Sequence, residues 1–138
     1  MRSKTPPTDL LQAARAAQGR AYAPYSKFRV GAAVRLADGS VVAGANVENA
    51  SYGLACCAER TAVFTAVAQG ARRLSEVLVV ADKDRPVPPC GACRQVLSEF
   101  LDKDAPVWLV GRDGQAARTS VGEILPGAFG PRDLGITP

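Results

Sequence analysis

The sequence predicts one α/β domain, in which helices cover the faces of a mixed sheet. Segments with helical spacing of apolar residues alternate with short apolar runs that are typical of strands. An Asp38-Gly39 pair between two strand-like runs is a strong signal for a β-hairpin, so the sheet begins antiparallel. With 138 residues and no repeat or linker, a single domain over 1–138 is expected, with residues 1–7 flexible and 126–138 forming a C-terminal tail.

The first half of the chain combines one helix with this hairpin. Thr8 can cap a helix over 8–19, where Leu10 and Ala14 recur at helical spacing. The two hairpin strands are predicted over 28–36 and 41–47.

The second half alternates helices with buried strands. The unbroken run Val77-Leu78-Val79-Val80 is typical of a strand that is buried on both faces. The predicted elements are a helix over 56–69, a strand over 76–81, a loop over 82–89, a helix over 91–101, a strand over 106–110 and a short helix after Ser120.

Composition excludes several classes of chemistry. The chain has no histidine, which rules out Ser-His-Asp and Cys-His catalysis and leaves carboxylates, thiolates and bound metal. Its 17 basic and 13 acidic residues form no basic run, which favours a solvated surface over a nucleic-acid footprint. Without an apolar segment long enough for a signal or membrane span, a cytoplasmic protein with reduced thiols is expected. The four cysteines are therefore candidates for metal ligands.

Three cysteines and one glutamate stand at the starts of two predicted helices. Cys57 opens one helix, and the pair Cys90 and Cys93 opens the next. Free backbone N–H groups at a helix start favour the thiolate form, and three thiolates occupy three corners of a tetrahedral zinc site. Glu59, in the first turn after Cys57, can reach the open fourth corner and take a proton from water.

Two other interpretations of these cysteines remain open. Cys56 could complete a closed four-thiolate zinc site, although adjacent cysteines would ligate one ion only with strain. The Cys90–Cys93 pair could instead be a redox pair, but that would leave Cys57 and Glu59 without a role. Cys56 itself is most simply a small buried apolar residue.

The motifs resemble those of the small cytidine deaminases of pyrimidine salvage. The deaminase signature, a ligand followed by x-Glu and then P-C-x-x-C, stands here as Cys57-Ala58-Glu59 and Pro89-Cys90-Gly91-Ala92-Cys93. Further similar strings occur in chain order over about 8–134: Tyr25-Ser26-Lys27-Phe28, Asn46-Val47-Glu48-Asn49-Ala50-Ser51-Tyr52, Cys93-Arg94-Gln95 and Leu125-Pro126-Gly127-Ala128-Phe129.

The resemblance implies a three-layer α/β/α fold with a mixed sheet of roughly five strands, and one zinc ion per chain. It implies hydrolytic deamination of free cytidine and deoxycytidine, with zinc activating the attacking water and Glu59 shuttling protons. Nucleoside and water would be the small-molecule partners, without nucleic acid or membrane. The chain would form a homotetramer with shared active sites.

The same resemblance assigns the remaining site residues. Asn46 and Glu48 would bind the ribose hydroxyls, and Tyr52 lies in the same substrate-binding motif. Phe28 would stack near the pyrimidine, the Ala58 backbone would contact the base, and Phe129 would reach into a neighbouring subunit's site. Arg60 would donate hydrogen bonds to the ligand thiolates and withdraw charge from them.

Two positions depart from the usual family pattern, and three competing functions stay open. Arg29 stands where many members have proline and is expected to alter the entry to the site, and Cys56 replaces an aliphatic or small polar residue.

The competing functions are deamination of other aminopyrimidine nucleosides, editing of a polynucleotide, and a zinc module that only holds the fold. The Asn46/Glu48 pair favours plain cytidine.

Overall fold

The computed structural model describes residues 5–138 and contains one mixed sheet of five strands. The strands are β1 (Val30–Leu36), β2 (Val41–Ala45), β3 (Leu74–Ala81), β4 (Pro106–Val110) and β5 (Ala116–Ser120). Their order across the sheet is β2-β1-β3-β4-β5, in which only the β3–β4 pair is parallel. The α-helices are α1 (Thr8–Gln18), α2 (Ala58–Ala68), α3 (Gly91–Phe100) and α4 (Val121–Ile124). Short 3₁₀ turns cover Tyr52–Leu54 and Pro131–Leu134.

The predicted α/β fold with a mixed sheet is confirmed, and the helices form two outer layers. Alternate residues of β3 point to opposite faces, so Leu78 and Val80 pack with Leu10 and Ala14 of α1. On the other face, the core includes Val77 and Val79 of β3 together with buried residues of α2, α3 and α4. The sheet is therefore covered on both sides, and α2 and α3 lie on the same face.

Two glycines bring a helix directly against the backbone of the β1–β2 hairpin. A methyl group at Gly31 would meet the backbone of α1, at 2.8 Å from the Gln18 nitrogen. A methyl group at Gly44 would lie 2.5 Å from the backbone nitrogen of Ala62 in α2. Contacts this short are sterically forbidden, so both positions need glycine for the close approach.

Most predicted elements are present with shifted ends. The strand predicted from residue 28 begins at Val30, and the helix predicted from residue 56 begins at Ala58. Strand β5 was missed, because Ala116–Ser120 has no aliphatic run and is recognisable only through its pairing with β4. The predicted flexibility of residues 1–4 lies outside the described residues. No helix in the described part of the chain is long and apolar enough to cross a membrane.

Candidate active site

The thiols of Cys57, Cys90 and Cys93 come together at the starts of two helices. Cys57 precedes α2 and Cys90 precedes α3, and both have extended backbone conformations. The long connection through β3 brings the two helix starts together, because α2 and α3 pack on one face of the sheet. All three Sγ atoms lie within 4.8 Å of one another.

This cluster fits a tetrahedral metal site. Zinc–sulfur bonds of about 2.3 Å place two sulfurs of a tetrahedron about 3.8 Å apart. The Cys57 and Cys90 sulfurs are 3.7 Å apart. The cluster does not include Cys56, whose backbone pairs with Val47 and whose side chain is half-buried rather than buried as predicted. Three thiols with an open fourth corner therefore suit zinc better than a closed four-thiolate site does.

Hydrogen bonding within the cluster favours the thiolate form of Cys57 and the neutral thiol form of Cys93. Hydrogen bonds from Cys93 and then Arg60 lower the pKa of Cys57 to about 5, against the opposing effect of burial. The pKa of Cys93 is raised, mainly by its hydrogen bond to the Cys57 thiolate and next by burial. Arg60 Nη2 donates to Cys57 Sγ at 3.5 Å, and this bond raises the pKa of the guanidinium. The positive charge of Arg60 therefore contacts the thiol cluster at Cys57.

Glu59 is the buried carboxyl group of the site. Only 5% of the residue is exposed, and burial raises its pKa to about 7. The Cys93 thiol bonds to the carboxylate and opposes this shift. A carboxyl group with a pKa near neutrality can both accept and return a proton at physiological pH.

A cavity of about 250 Å³ opens onto the cysteines and Glu59. It is lined by Phe28, Asn46 and Ala58, three of the residues expected to contact substrate, together with Val87 and Pro88 of the loop before α3. The volume is close to the lower end of the range of about 300–1,000 Å³ that is typical of small-ligand sites.

Asn46 holds the segment that leads from Phe28 into β1. Its Oδ1 accepts from the Val30 backbone N–H at 2.9 Å, and its Nδ2 donates to the Phe28 carbonyl at 2.8 Å. The amide has two donors and two acceptor positions, so one of each remains for a ligand.

Glu48 and Tyr52 line a second cavity, which includes Tyr25 and Ser26 but not the cysteines. The Glu48 carboxylate accepts hydrogen bonds from the Ser26 hydroxyl and from the backbone of Ser26 and Tyr25, and the hydroxyl is the main cause of its lowered pKa. The Tyr52 ring packs edge-on against Tyr25 at 5.8 Å and is 75% exposed. Within one subunit, these two residues are therefore not brought to the cysteine cavity.

Phe129 and Arg29 also lie outside the cysteine cavity. Phe129 is 59% exposed, and its carbonyl accepts from Gln95 Nε2 at 2.9 Å. Arg29 lines a separate cavity with Arg15 and Arg112, so its position does not support the expected effect on the site entry. Phe28, the residue before Arg29, lines the cysteine cavity instead.

The sequence left open whether Arg94 is exposed or contacts the loop, and the structure gives it two backbone partners. Its Nε donates to the Pro89 carbonyl at 2.8 Å and its Nη1 donates to the Ile124 carbonyl at 2.9 Å. The only sequence signal was its position directly after Cys93, which does not indicate either partner.

An α/β/α domain with a three-thiol cluster, a buried carboxyl group and the C-x-E…P-C-x-x-C signature defines the class of zinc-dependent deaminases. Residues 5–108 match the family described as the cytidine and deoxycytidylate deaminase zinc-binding region. The chain belongs to this family, which confirms the resemblance seen in its motifs.

Several named relatives match nearly the whole chain. The cytidine deaminase of Halalkalibacterium halodurans is 53% identical over 91% of this chain and 95% of its own length. That of Sporosarcina psychrophila is 48% identical over 91% of this chain and 92% of its own. The crystal structure of the cytidine deaminase from Burkholderia pseudomallei superposes with a TM-score of 0.85 and 50% identity, covering 88% of this chain and 97% of that one.

Proposed function

We propose that this protein catalyses hydrolytic deamination of free cytidine and deoxycytidine, giving uridine or deoxyuridine and ammonia. The observation that carries the proposal is the three-thiol cluster sharing one small cavity with the buried Glu59 carboxyl group. The names of the relatives support cytidine as the substrate. The reaction hydrolyses a carbon–nitrogen bond of a cyclic amidine.

Cys57, Cys90 and Cys93 would hold the zinc ion. When bound, zinc supplies Lewis acidity that makes water easier to deprotonate. Three thiolates and one Zn²⁺ ion sum to a charge of −1, which weakens that acidity. Arg60 offsets the excess charge, because its guanidinium donates to the Cys57 sulfur.

Glu59 moves the protons of the reaction. Its carboxylate accepts a proton from the attacking water and delivers it to ring nitrogen 3, which makes carbon 4 electrophilic. Oxygen then bonds to carbon 4, which becomes tetrahedral. Glu59 then takes the proton of the new hydroxyl on carbon 4 and delivers it to the exocyclic amine, so that the carbon–nitrogen bond breaks, ammonia leaves and the carbon 4 oxygen becomes the carbonyl of the product. Its pKa of about 7 suits both directions of transfer.

The substrate residues are proposed from the cavity lining and the family resemblance. Phe28 stacks near the pyrimidine, the Ala58 backbone contacts the base, and Asn46 binds a ribose hydroxyl with its remaining donor and acceptor. By the family resemblance, Glu48 and Tyr52 would bind the ribose from the second cavity, which the Tyr25–Ser26 loop borders and where Glu48 holds that loop by hydrogen bonds.

A homotetramer with shared sites is part of the proposal. The exposed Phe129 and Tyr52 rings support it, because large apolar side chains at the surface commonly mark an interface. Phe129 would then reach a neighbouring subunit's site. We also propose a cytoplasmic location, with which the free thiols in the described chain are compatible, and a role in pyrimidine salvage, which the family resemblance implies.

The test is the ultraviolet absorbance of zinc-loaded protein mixed with cytidine, deoxycytidine, another aminopyrimidine nucleoside or a cytosine-containing single strand. We expect a spectral change with matching ammonia release for the two free nucleosides. Glu59→Gln should keep one zinc per chain and lose about 10²–10⁴-fold in kcat. Activity on the single strand alone, or none in folded zinc-loaded protein, would reject the proposal.

A further inference from the structure

The three cysteines of the cluster differ in how the fold holds them. Cys93 is completely buried inside α3 and is fixed by core packing, and Cys57 is half-buried. Cys90 is exposed, so little packing limits the direction of its thiol. Its position depends mainly on the backbone of the loop that precedes α3.

Arg94 fixes the peptide that leads into Cys90. Pro89 has its φ angle set by its ring, so rotation about ψ determines the direction of its carbonyl and of the next residue. Arg94 Nε donates to that carbonyl at 2.8 Å, and the Arg94 backbone N–H donates to the Cys90 carbonyl at 3.0 Å. Arg94 therefore holds both the carbonyl of Pro89, directly before Cys90, and the carbonyl of Cys90 itself.

The same guanidinium also holds the C-terminal end of α4. Its Nη1 donates to the Ile124 carbonyl at 2.9 Å, directly before the segment Leu125–Phe129. The neighbouring Gln95 holds the far end of this segment through the Phe129 carbonyl at 2.9 Å. A planar guanidinium with five donors can bridge two carbonyls at fixed angles, whereas a lysine ammonium cannot reproduce this geometry.

We propose that Arg94 is a positioning residue that sets the direction of the Cys90 thiol and joins the metal-binding loop to the C-terminal segment. Its role is geometric, because its described hydrogen bonds go to backbone carbonyls and not to the thiols. The inference depends on the proposed function, since it needs Cys90 to be a metal ligand.

The experiment loads the full-length protein with Co²⁺ and compares wild type with Arg94→Gln, Arg94→Lys and Arg73→Gln. Cobalt–thiolate absorption bands report ligand geometry, and competition with a chelator gives the Co²⁺ affinity. Arg73 is the matched control: it donates to the Glu99 carbonyl at the other end of α3 and is ion-paired with Asp102. The Arg73→Gln variant tests whether a general weakening of α3 is enough to shift the cobalt bands or lower the Co²⁺ affinity.

We expect Arg94→Gln to shift the cobalt bands and weaken Co²⁺ binding about 10–100-fold, the range for residues that orient metal ligands. Arg94→Lys should fail to restore the wild-type bands, because it keeps the charge without the bridge. Arg73→Gln should resemble wild type. Wild-type bands in Arg94→Gln, full rescue by lysine, or equal effects in Arg73→Gln would overturn the proposal.

A separate variant keeps the test informative if Arg94→Gln does not fold. Gln95→Ala removes only the contact with the Phe129 carbonyl. It should raise the KM for cytidine several-fold and leave the cobalt bands unchanged, whereas a shift of the bands in Gln95→Ala would contradict a distinct role for Arg94. Absence of cobalt–thiolate bands in wild type would instead reject the metal site and the proposed function.

Discussion

Arg60 Nη2 lies 3.5 Å from Cys57 Sγ, and the Nε of the same guanidinium is buried without a hydrogen-bond partner among the described residues. An unpaired buried donor costs free energy, commonly about 1–3 kcal/mol. The fold accepts this cost at a position where the positive charge faces the thiols. Arg60 is therefore better explained by the charge of the cluster than by stability.

Replacement of Arg60 should separate metal binding from folding. Arg60→Gln removes the charge that favours the Cys57 thiolate, so zinc affinity should fall about 10–100-fold. Zinc release to a chromogenic chelator measures the effect. Arg72→Gln, which removes an exposed arginine whose contacts are with the Val67 and Ala71 carbonyls, is the control and should keep wild-type affinity. An equal loss in both variants would contradict this role.

The stability of the metal-free protein should depend on the ionisation of Glu59. Its pKa rises from an ordinary 4.5 to about 7 in the folded protein, so folding favours the protonated carboxyl group. The protonated carboxyl group therefore makes its full contribution to the free energy of unfolding below pH 4.5. That contribution, at most about 3 kcal/mol, is lost as the pH rises to about 7.

Urea unfolding of wild type and Glu59→Gln between pH 4 and pH 8 measures this contribution, because titrating groups away from Glu59 are common to both proteins and cancel in the difference between the two curves. The stability of wild type relative to Glu59→Gln should fall over that range. A constant difference would show that the folded carboxyl group has an ordinary pKa.

A methyl group at Gly44 should disturb the site from a distance. Gly44→Ala forces the backbone of α2 away from β2, because the added carbon would lie 2.5 Å from the Ala62 nitrogen. We expect a loss of about 1–3 kcal/mol in the free energy of unfolding, together with weaker zinc binding, because α2 carries Glu59 and begins directly after Cys57. Gly19→Ala is the control, since its added carbon would make ordinary contacts of 3.5 Å. Equal stability of both variants would count against a close approach at Gly44.

The Glu76 carboxylate should contribute to stability without affecting the site. It accepts from Trp108 Nε1 at 2.8 Å and from Arg35 Nε at 3.0 Å. Trp108→Phe leaves one carboxylate oxygen without this donor in a largely buried place, which should cost about 1–3 kcal/mol in urea unfolding. Zinc affinity should stay unchanged. A drop in zinc affinity equal to that of Arg60→Gln would mean that the disturbance spreads through the sheet.

The metal cluster was predictable from sequence, but the positions of the proposed substrate residues were only partly so. Cys57, Cys90, Cys93 and Glu59 lie at helix starts, and local sequence signals mark helix starts well. Glu48 is different, because its cavity is formed by Tyr25 and Ser26, which lie far away in the chain. Arg94 was unassigned for the same reason: its partners are backbone carbonyls, which leave no signal in the sequence.

Gly31 and Gly44 have a consequence for how this protein can change. In most of the core, a larger side chain on one element can be offset by a smaller one on its neighbour. At Gly31 and Gly44 themselves such an exchange is not available, since the backbone of the hairpin meets the backbone of α1 or α2 directly at these two points. The depth at which Cys57 and Glu59 lie below the surface is therefore set by the dimensions of the backbone. An exchange of volume elsewhere in the core does not relieve the backbone contact at Gly44.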